Sequence, residues 1–249
     1  PKTLHWFKWE AYLTWISGLT LLLFVYWLDA GLMMVHPDSG LGVGATTAIG
    51  VGALVVGWVV YDLLCKSPLV DQPGLGFVVA VLLLGGSAYG LAQVLSPRAA
   101  YIHFGAMMGT MMALNVFFVI IPGQRAMVDA MVKGEDPPLA KGRAGALRSL
   151  HNNYFTLPVL FIMVSNHFAF TYGHKLAWAV LIAISLIGAG VRHWFNLHGK
   201  GEKNAWILPA AAVAMVALAF VSHGPKATPK PGAAVPSFAQ VQVVLGKHC

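Results

Sequence analysis

Three histidines and four asparagines lie within or at the ends of two successive apolar stretches. The first stretch, residues 101–124, reads YIHFGAMMGTMMALNVFFVIIPGQ and carries His103 and Asn115. The second, residues 149–168, reads SLHNNYFTLPVLFIMVSNHF and carries His151, Asn152, Asn153, Asn166 and His167. A polar side chain at membrane depth is costly unless it is paired or faces a cavity, so such groups mark a site. Neutral imidazoles from two helices can ligate a haem iron inside a bundle. They can equally hold a substrate ring and relay its protons. The plain alternative is an interhelical hydrogen bond that fixes packing. Three consecutive polar groups, His151-Asn152-Asn153, are too many for one packing contact.

Helical spacing sorts these residues further. On the first stretch His103, Met107, Thr110 and Leu114 share a stripe, and Met108, Met111, Met112 and Asn115 form a neighbouring face. The methionines read as adaptable packing, with soft coordination of a metal or haem iron as the sharper alternative. Gly105 and Gly109 have the GxxxG spacing that lets a second helix approach. On the second stretch Asn153, Thr156, Leu160, Met163 and His167 fall on one stripe, and Asn152, Phe155, Val159, Ile162 and Asn166 on another. Pro158 removes a backbone donor near the centre and predicts a kink. The other histidines, among them His36, His174 and His193, sit in loops or at span ends and are weaker candidates. Asp29 and Asp62 also lie near span ends, and no carboxylate pair stands within a span. A phosphate-binding glycine loop and a serine triad are absent from the sequence, which argues against nucleotide-driven and hydrolytic chemistry.

The elements that must hold these groups are membrane helices. The 249 residues are 57% hydrophobic and 10% charged, with a mean hydropathy of +0.69, where a soluble domain has about 25% charged residues. The apolar runs do not alternate with polar residues, so the fold class is all-α, a polytopic transmembrane helical bundle rather than a barrel. Seven spans are predicted, near Tyr12–Leu32, Gly42–Leu64, Leu75–Leu95, Tyr101–Ile121, Leu147–Thr171, Leu176–Phe195 and Trp206–Ser222. Eleven of the sixteen lysines and arginines fall at the N-terminus or in the loops after spans two, four and six. The positive-inside rule makes that side cytoplasmic and puts the C-terminus outside, in the periplasm of a Gram-negative bacterium. The net charge of +7 is explained by these loops and does not imply nucleic acid. The long loop Gly123–Ala146 reads as a connector that starts with a short surface helix, QRAMVDAMVKG. His103 and His167 are then expected at a similar depth near the outer face, with His151 toward the cytoplasm.

The predicted domains are a membrane domain over 1–222, a proline-rich linker over 223–236 and the start of a truncated soluble domain over 237–249. In that last piece Phe238, Val241 and Val244 are spaced for one face of a short helix, and the sequence stops at Cys249. The two cysteines, Cys65 and Cys249, form no readable disulfide framework. With Pro1 at its start, the chain is expected to be a fragment at both ends.

Three long motifs, HWFKWEAYLTWISG, HFGAMMGTMMALNVFFVIIPGQ and SLHNNYFTLPVLFIMVSNH, resemble the membrane-bound, cytochrome c-linked urate oxidases of bacteria. The resemblance covers essentially the whole chain. It implies an inner-membrane enzyme that oxidises urate to 5-hydroxyisourate and sends electrons through a periplasmic cytochrome c to a respiratory terminal oxidase. It also implies haem c, with Cys249 as the first cysteine of the attachment motif, whose second cysteine and histidine lie beyond the end. A further span upstream of HWFKWEAY is part of the family pattern and is absent here. On this reading His103 and His167 are candidate iron ligands of a haem b near the outer face. His151, Asn152, Asn153 and Asn115 would bind the urate ring and take its proton. Other readings of the same residues are a quinone-linked electron conduit, a purine transporter, and a membrane anchor whose polar groups serve packing.

Overall fold

The computed structural model describes residues 2–222 and 237–248. Apart from one isolated antiparallel bridge between Val35 and Leu95, the regular structure of the described residues is helical. Runs of Leu, Val, Ala and Gly satisfy every backbone group within the segment, as a lipid environment demands. In chain order the elements are α1 (Lys2–Leu22), a π-helical turn (Leu23–Trp27), α2 (Ala30–Met33), α3 (Val43–Lys66) and α4 (Pro73–Val94). Then come α5 (Pro97–Asn115), a second π-helical turn (Val116–Ile120), α6 (Ile121–Lys133) and α7 (Leu139–Val164). The last are α8 (Ala169–Tyr172), α9 (Ala177–His198), α10 (Ile207–Ser222) and α11 (Phe238–His248).

Five helices among the described residues are long and apolar enough to cross a membrane: Lys8–Trp27, Val43–Lys66, Pro73–Val94, Pro97–Lys133 and Ala177–His198. That is the pattern of a multi-pass membrane protein. The fifth and seventh predicted spans do not meet both criteria. Helix α7 is long, but from its first turn to its middle it carries Lys141, Arg143, Arg148 and the His151-Asn152-Asn153 run. Helix α10 is apolar but has 16 residues, about 24 Å at 1.5 Å per residue against a hydrocarbon core of about 30 Å.

The fourth span does not stop at Pro122-Gly123. Its helix runs on to Lys133, and the predicted surface helix is this extension, α6. Pro122 lacks an N–H and its ring crowds the carbonyl four residues back. The chain accommodates it with the π turn, where the Ile121 N–H bonds to the Val116 carbonyl five residues earlier. Helix α6 ends where Gly134 takes a left-handed conformation (φ 73°). The connector is therefore short, and α7 begins at Leu139 rather than Leu147. Pro158 lies buried inside α7, which continues through it as one helix.

Helix α5 is the axis of the bundle. Along it Ala99, Tyr101, His103, Phe104, Met107, Met108, Met111 and Asn115 are all buried. It packs against α3, α7, α4 and α1. Glycines on α3 allow the closest approach: a Cβ on Gly50 would lie 2.7 Å from His103 Nε2, and one on Gly57 would lie 2.5 Å from Met107 Cγ. The expected GxxxG pair on α5 is used at one position. Gly105 faces Ile162 of α7, whose Cγ2 a Cβ would meet at 2.6 Å, whereas Gly109 has nothing within 4 Å. Helix α1 and the π turn that follows it are tied to α5 by two indoles, Trp15 Nε1 donating to Thr110 Oγ1 at 3.1 Å and Trp27 Nε1 donating to His103 Nε2 at 3.1 Å.

Candidate functional site

The inner group of predicted site residues forms one hydrogen-bonded cluster where α3, α5 and α7 meet. Asn115, the last residue of α5, is fully buried. Its Nδ2 donates to the Tyr61 oxygen at 3.0 Å and to Asn152 Oδ1 at 2.8 Å. Its Oδ1 accepts from Arg148 Nη1 at 3.2 Å. Both amide hydrogens and the carbonyl of Asn115 are thus used, which offsets the cost of burying them. Asn152 Nδ2 in turn donates to the Met112 carbonyl at 2.9 Å.

Arg148 carries the charge of the cluster. Its side chain is 3% exposed, and Nη2 bonds to Asp62 Oδ1 at 2.7 Å and to the Asp62 carbonyl at 3.3 Å. Its guanidinium lies over the Tyr61 ring, 4.8 Å from the centroid. Asp62 also pairs with Lys66, one turn further along α3. A buried arginine is tolerable only when paired and hydrogen-bonded in this way.

His151 completes the cluster. Its Nδ1 lies 2.9 Å from the Tyr61 hydroxyl oxygen and 3.7 Å from Cys65 Sγ. With Nδ1 accepting the tyrosine proton, Nε2 carries a hydrogen. With Nδ1–H donating to the tyrosine oxygen, Nε2 presents a lone pair. Either way the pair connects the Tyr61 hydroxyl to the far side of the imidazole ring, which is the equipment of a proton relay.

Local sequence explains the assembly. Arg148, His151, Asn152 and Phe155 follow the i, i+3, i+4, i+7 pattern and share one face of α7. Tyr61, Asp62 and Cys65 occupy the last turns of α3. Tyr61 carries no signal in the sequence, Asp62 reads there only as a charge near a span end, and Arg148 reads only as one of the cations that set orientation. The helical spacing of Arg148 to His151 and Asn152 was the available signal.

Asn153 lies apart from this cluster. One residue on from Asn152, it faces α9, where its Oδ1 accepts from Arg192 Nε at 3.2 Å. Beside it the Tyr154 hydroxyl lies 2.7 Å from His193 Nδ1.

The outer histidines are placed differently from each other. His103 is fully buried, and both ring nitrogens are occupied: Nδ1 lies 2.8 Å from the Ala99 carbonyl and Nε2 accepts from Trp27. The Tyr26 ring meets its edge at 5.8 Å. His167 is exposed and ends a 3₁₀ turn, Ser165–His167, beyond α7. The residues present do not fit a haem b between them. His103 offers no free lone pair, and Gly50 leaves no room for a ring system at its Nε2 edge. Met107 and Met111, candidates for soft coordination, pack over Gly57. Among the described residues no group of three or more His, Cys, Asp or Glu side chains is placed to hold a metal ion. Cys249 and the linker 223–236 lie outside the described residues.

A family model described as urate oxidase N-terminal matches residues 1–223. No curated protein and no solved structure matches the chain.

Proposed function

The chain belongs to the urate oxidase N-terminal family, and from that membership we propose that it is the membrane part of an oxidoreductase acting on urate. In this reading urate loses two electrons to give 5-hydroxyisourate. The electrons pass to a c-type cytochrome following residue 236, with Cys249 in its attachment motif, and onward to a respiratory terminal oxidase. Haem c, when bound, supplies one-electron transfer. The positive-inside count supports a cytoplasmic N-terminus and a C-terminus on the opposite side, and the family reading makes the membrane a bacterial inner membrane with the C-terminus in the periplasm.

The observation that supports a site in this chain is the hydrogen-bonded cluster of Tyr61, Asn115, Arg148, His151 and Asn152. Urate is a planar ring of amide-like donors and acceptors that loses protons as it is oxidised. A site for it needs a polar edge to match its own and a base to receive its proton. Asn152 and His151 are the partly exposed members that can meet the ring, Asn115 and the Asp62-paired Arg148 hold them in place, and His151 moves a proton between its Nε2 and the Tyr61 hydroxyl. Asn153 bonds to Arg192 and is not assigned to the ring.

The test is His151→Ala and Asn152→Ala in the full-length protein, read as the rate of urate oxidation beside helical content and melting temperature. Loss of at least a hundredfold in rate with folding retained is expected, in line with removal of a general acid–base. Undiminished turnover in either variant would remove that residue from the site.

A further inference from the structure

A second polar site lies at the other end of α5. From Tyr101 to Asn115 the helix rises about 21 Å, so this site and the Asn115 cluster are separate. Around Tyr101 the structure has a cavity of about 210 Å³, lined in part by His36, Gln93, Tyr172, His174, Lys175 and Trp178. That is below the range of about 300–1,000 Å³ of drug-sized pockets, and suits a small molecule.

The two histidines are held in a defined tautomer. His36 Nδ1 accepts from the Asp38 backbone N–H at 3.2 Å, and His174 Nδ1 accepts from the Leu176 N–H at 3.0 Å. An Nδ1 that accepts cannot carry the proton, so each ring keeps Nε2–H as its donor. Lys175 adds an ammonium. No carboxylate is among the lining residues. The lining therefore supplies two N–H donors and a positive charge with no opposing anion. Trp178 and Tyr172 supply flat apolar walls, each already held by an edge contact, Trp178 with Tyr89 at 5.4 Å and Tyr172 with Tyr101 at 6.0 Å.

Two segments that contribute lining residues are fastened to their neighbours by hydrogen bonds to backbone carbonyls. Ser96 N donates to the Met34 carbonyl at 2.8 Å and Ser96 Oγ to the Met33 carbonyl at 2.6 Å, beside the Val35–Leu95 bridge. This clamp fastens the segment before His36 to the start of α5. On the other side the Tyr101 hydroxyl donates to the Ala177 carbonyl at 2.7 Å, fastening the segment that bears His174 and Lys175.

We infer that this cavity is a binding site for a small planar aromatic or heteroaromatic anion, held by the His36 and His174 Nε2–H groups and Lys175 between aromatic walls. The inference stands on the cavity's own donors and does not rest on the oxidase reading. The experiment is equilibrium binding of labelled benzoate to the full chain in lipid nanodiscs, with unlabelled urate and the neutral purine hypoxanthine as competitors. Benzoate binding that urate displaces and hypoxanthine does not is expected. The His36→Ala/His174→Ala double variant and Lys175→Gln should each weaken benzoate binding at least tenfold. As a second readout, bound benzoate should protect His36 and His174 from alkylation, scored by mass spectrometry. Binding unchanged by the cavity substitutions, or equal displacement by the neutral purine, would overturn the inference. So would the absence of both binding and protection.

Discussion

At the scale of single residues, the cluster at Asn115 is held by a charge that has one main partner. Arg148 is nearly sealed from solvent, and its ion-pair partner is Asp62, whose side chain is 18% exposed. Removing the carboxylate leaves a buried guanidinium without its counter-ion, which costs about 3 kcal/mol, at the low end for a buried pair because Asp62 is partly solvated. Asp62→Ala should therefore lower the melting temperature clearly, and adding Arg148→Met should recover part of the loss. A melt in which the double variant is no better than the single one would show that Arg148 is not held mainly by Asp62. The sequence exposed the residues of this cluster unevenly. His151, Asn152 and Asn115 stood out because polar groups are rare in apolar stretches. Arg148 and Asp62 did not, because charges near span ends are ordinary and are first counted toward orientation. Tyr61 was hidden by its type, since a tyrosine near a membrane interface calls for no explanation.

At the scale of elements, close approach decides which helices touch α5. The sequence offered Gly105 and Gly109 as the approach points, but spacing on one helix cannot say which face the neighbour takes. The structure uses Gly105 toward α7, and takes its other approach points from α3 at Gly50 and Gly57. A methyl group at Gly50 would press on His103 and Met34. Gly50→Ala should destabilise the fold by about 1–3 kcal/mol through overpacking. Gly109→Ala, with open space around it, should be neutral or stabilising by up to about 1 kcal/mol through helix propensity. Unfolding of both variants in mixed micelles checks the contrast, and equal effects would contradict the packing described. The helix boundaries show a related limit of sequence reading. Pro122-Gly123 looks like a stop, yet a π turn absorbs the proline and the helix continues to Lys133. The resulting α6 lies against the start of α7, where a Cβ on Gly123 would meet the Lys141 carbonyl at 3.0 Å. Nothing in the local sequence announces a π turn, because its hydrogen bonds are set by the packing around it.

At the scale of the whole molecule, α5 carries a buried polar cluster at one end and a donor-lined cavity at the other, with His103 and the methionines packed between them. The all-helical membrane character was legible from composition alone. That His103 and His167 do not form a pair was not, because depth along two helices places residues at one level without placing them in contact. Both histidines do lie toward the cavity end, since the Tyr101 hydroxyl contacts the Thr171 carbonyl at 3.1 Å, but one is sealed in the core and the other is exposed. On the proposed function, the Asn115 cluster recognises the substrate and a c-type cytochrome accepts the electrons. The most direct measurement is the visible spectrum of the full-length protein on anaerobic addition of urate. A reduced c-type band is expected with the wild-type chain and not with His151→Ala, although dithionite reduces both. A c-type band that dithionite produces and urate does not, in the wild-type protein, would contradict the proposed function.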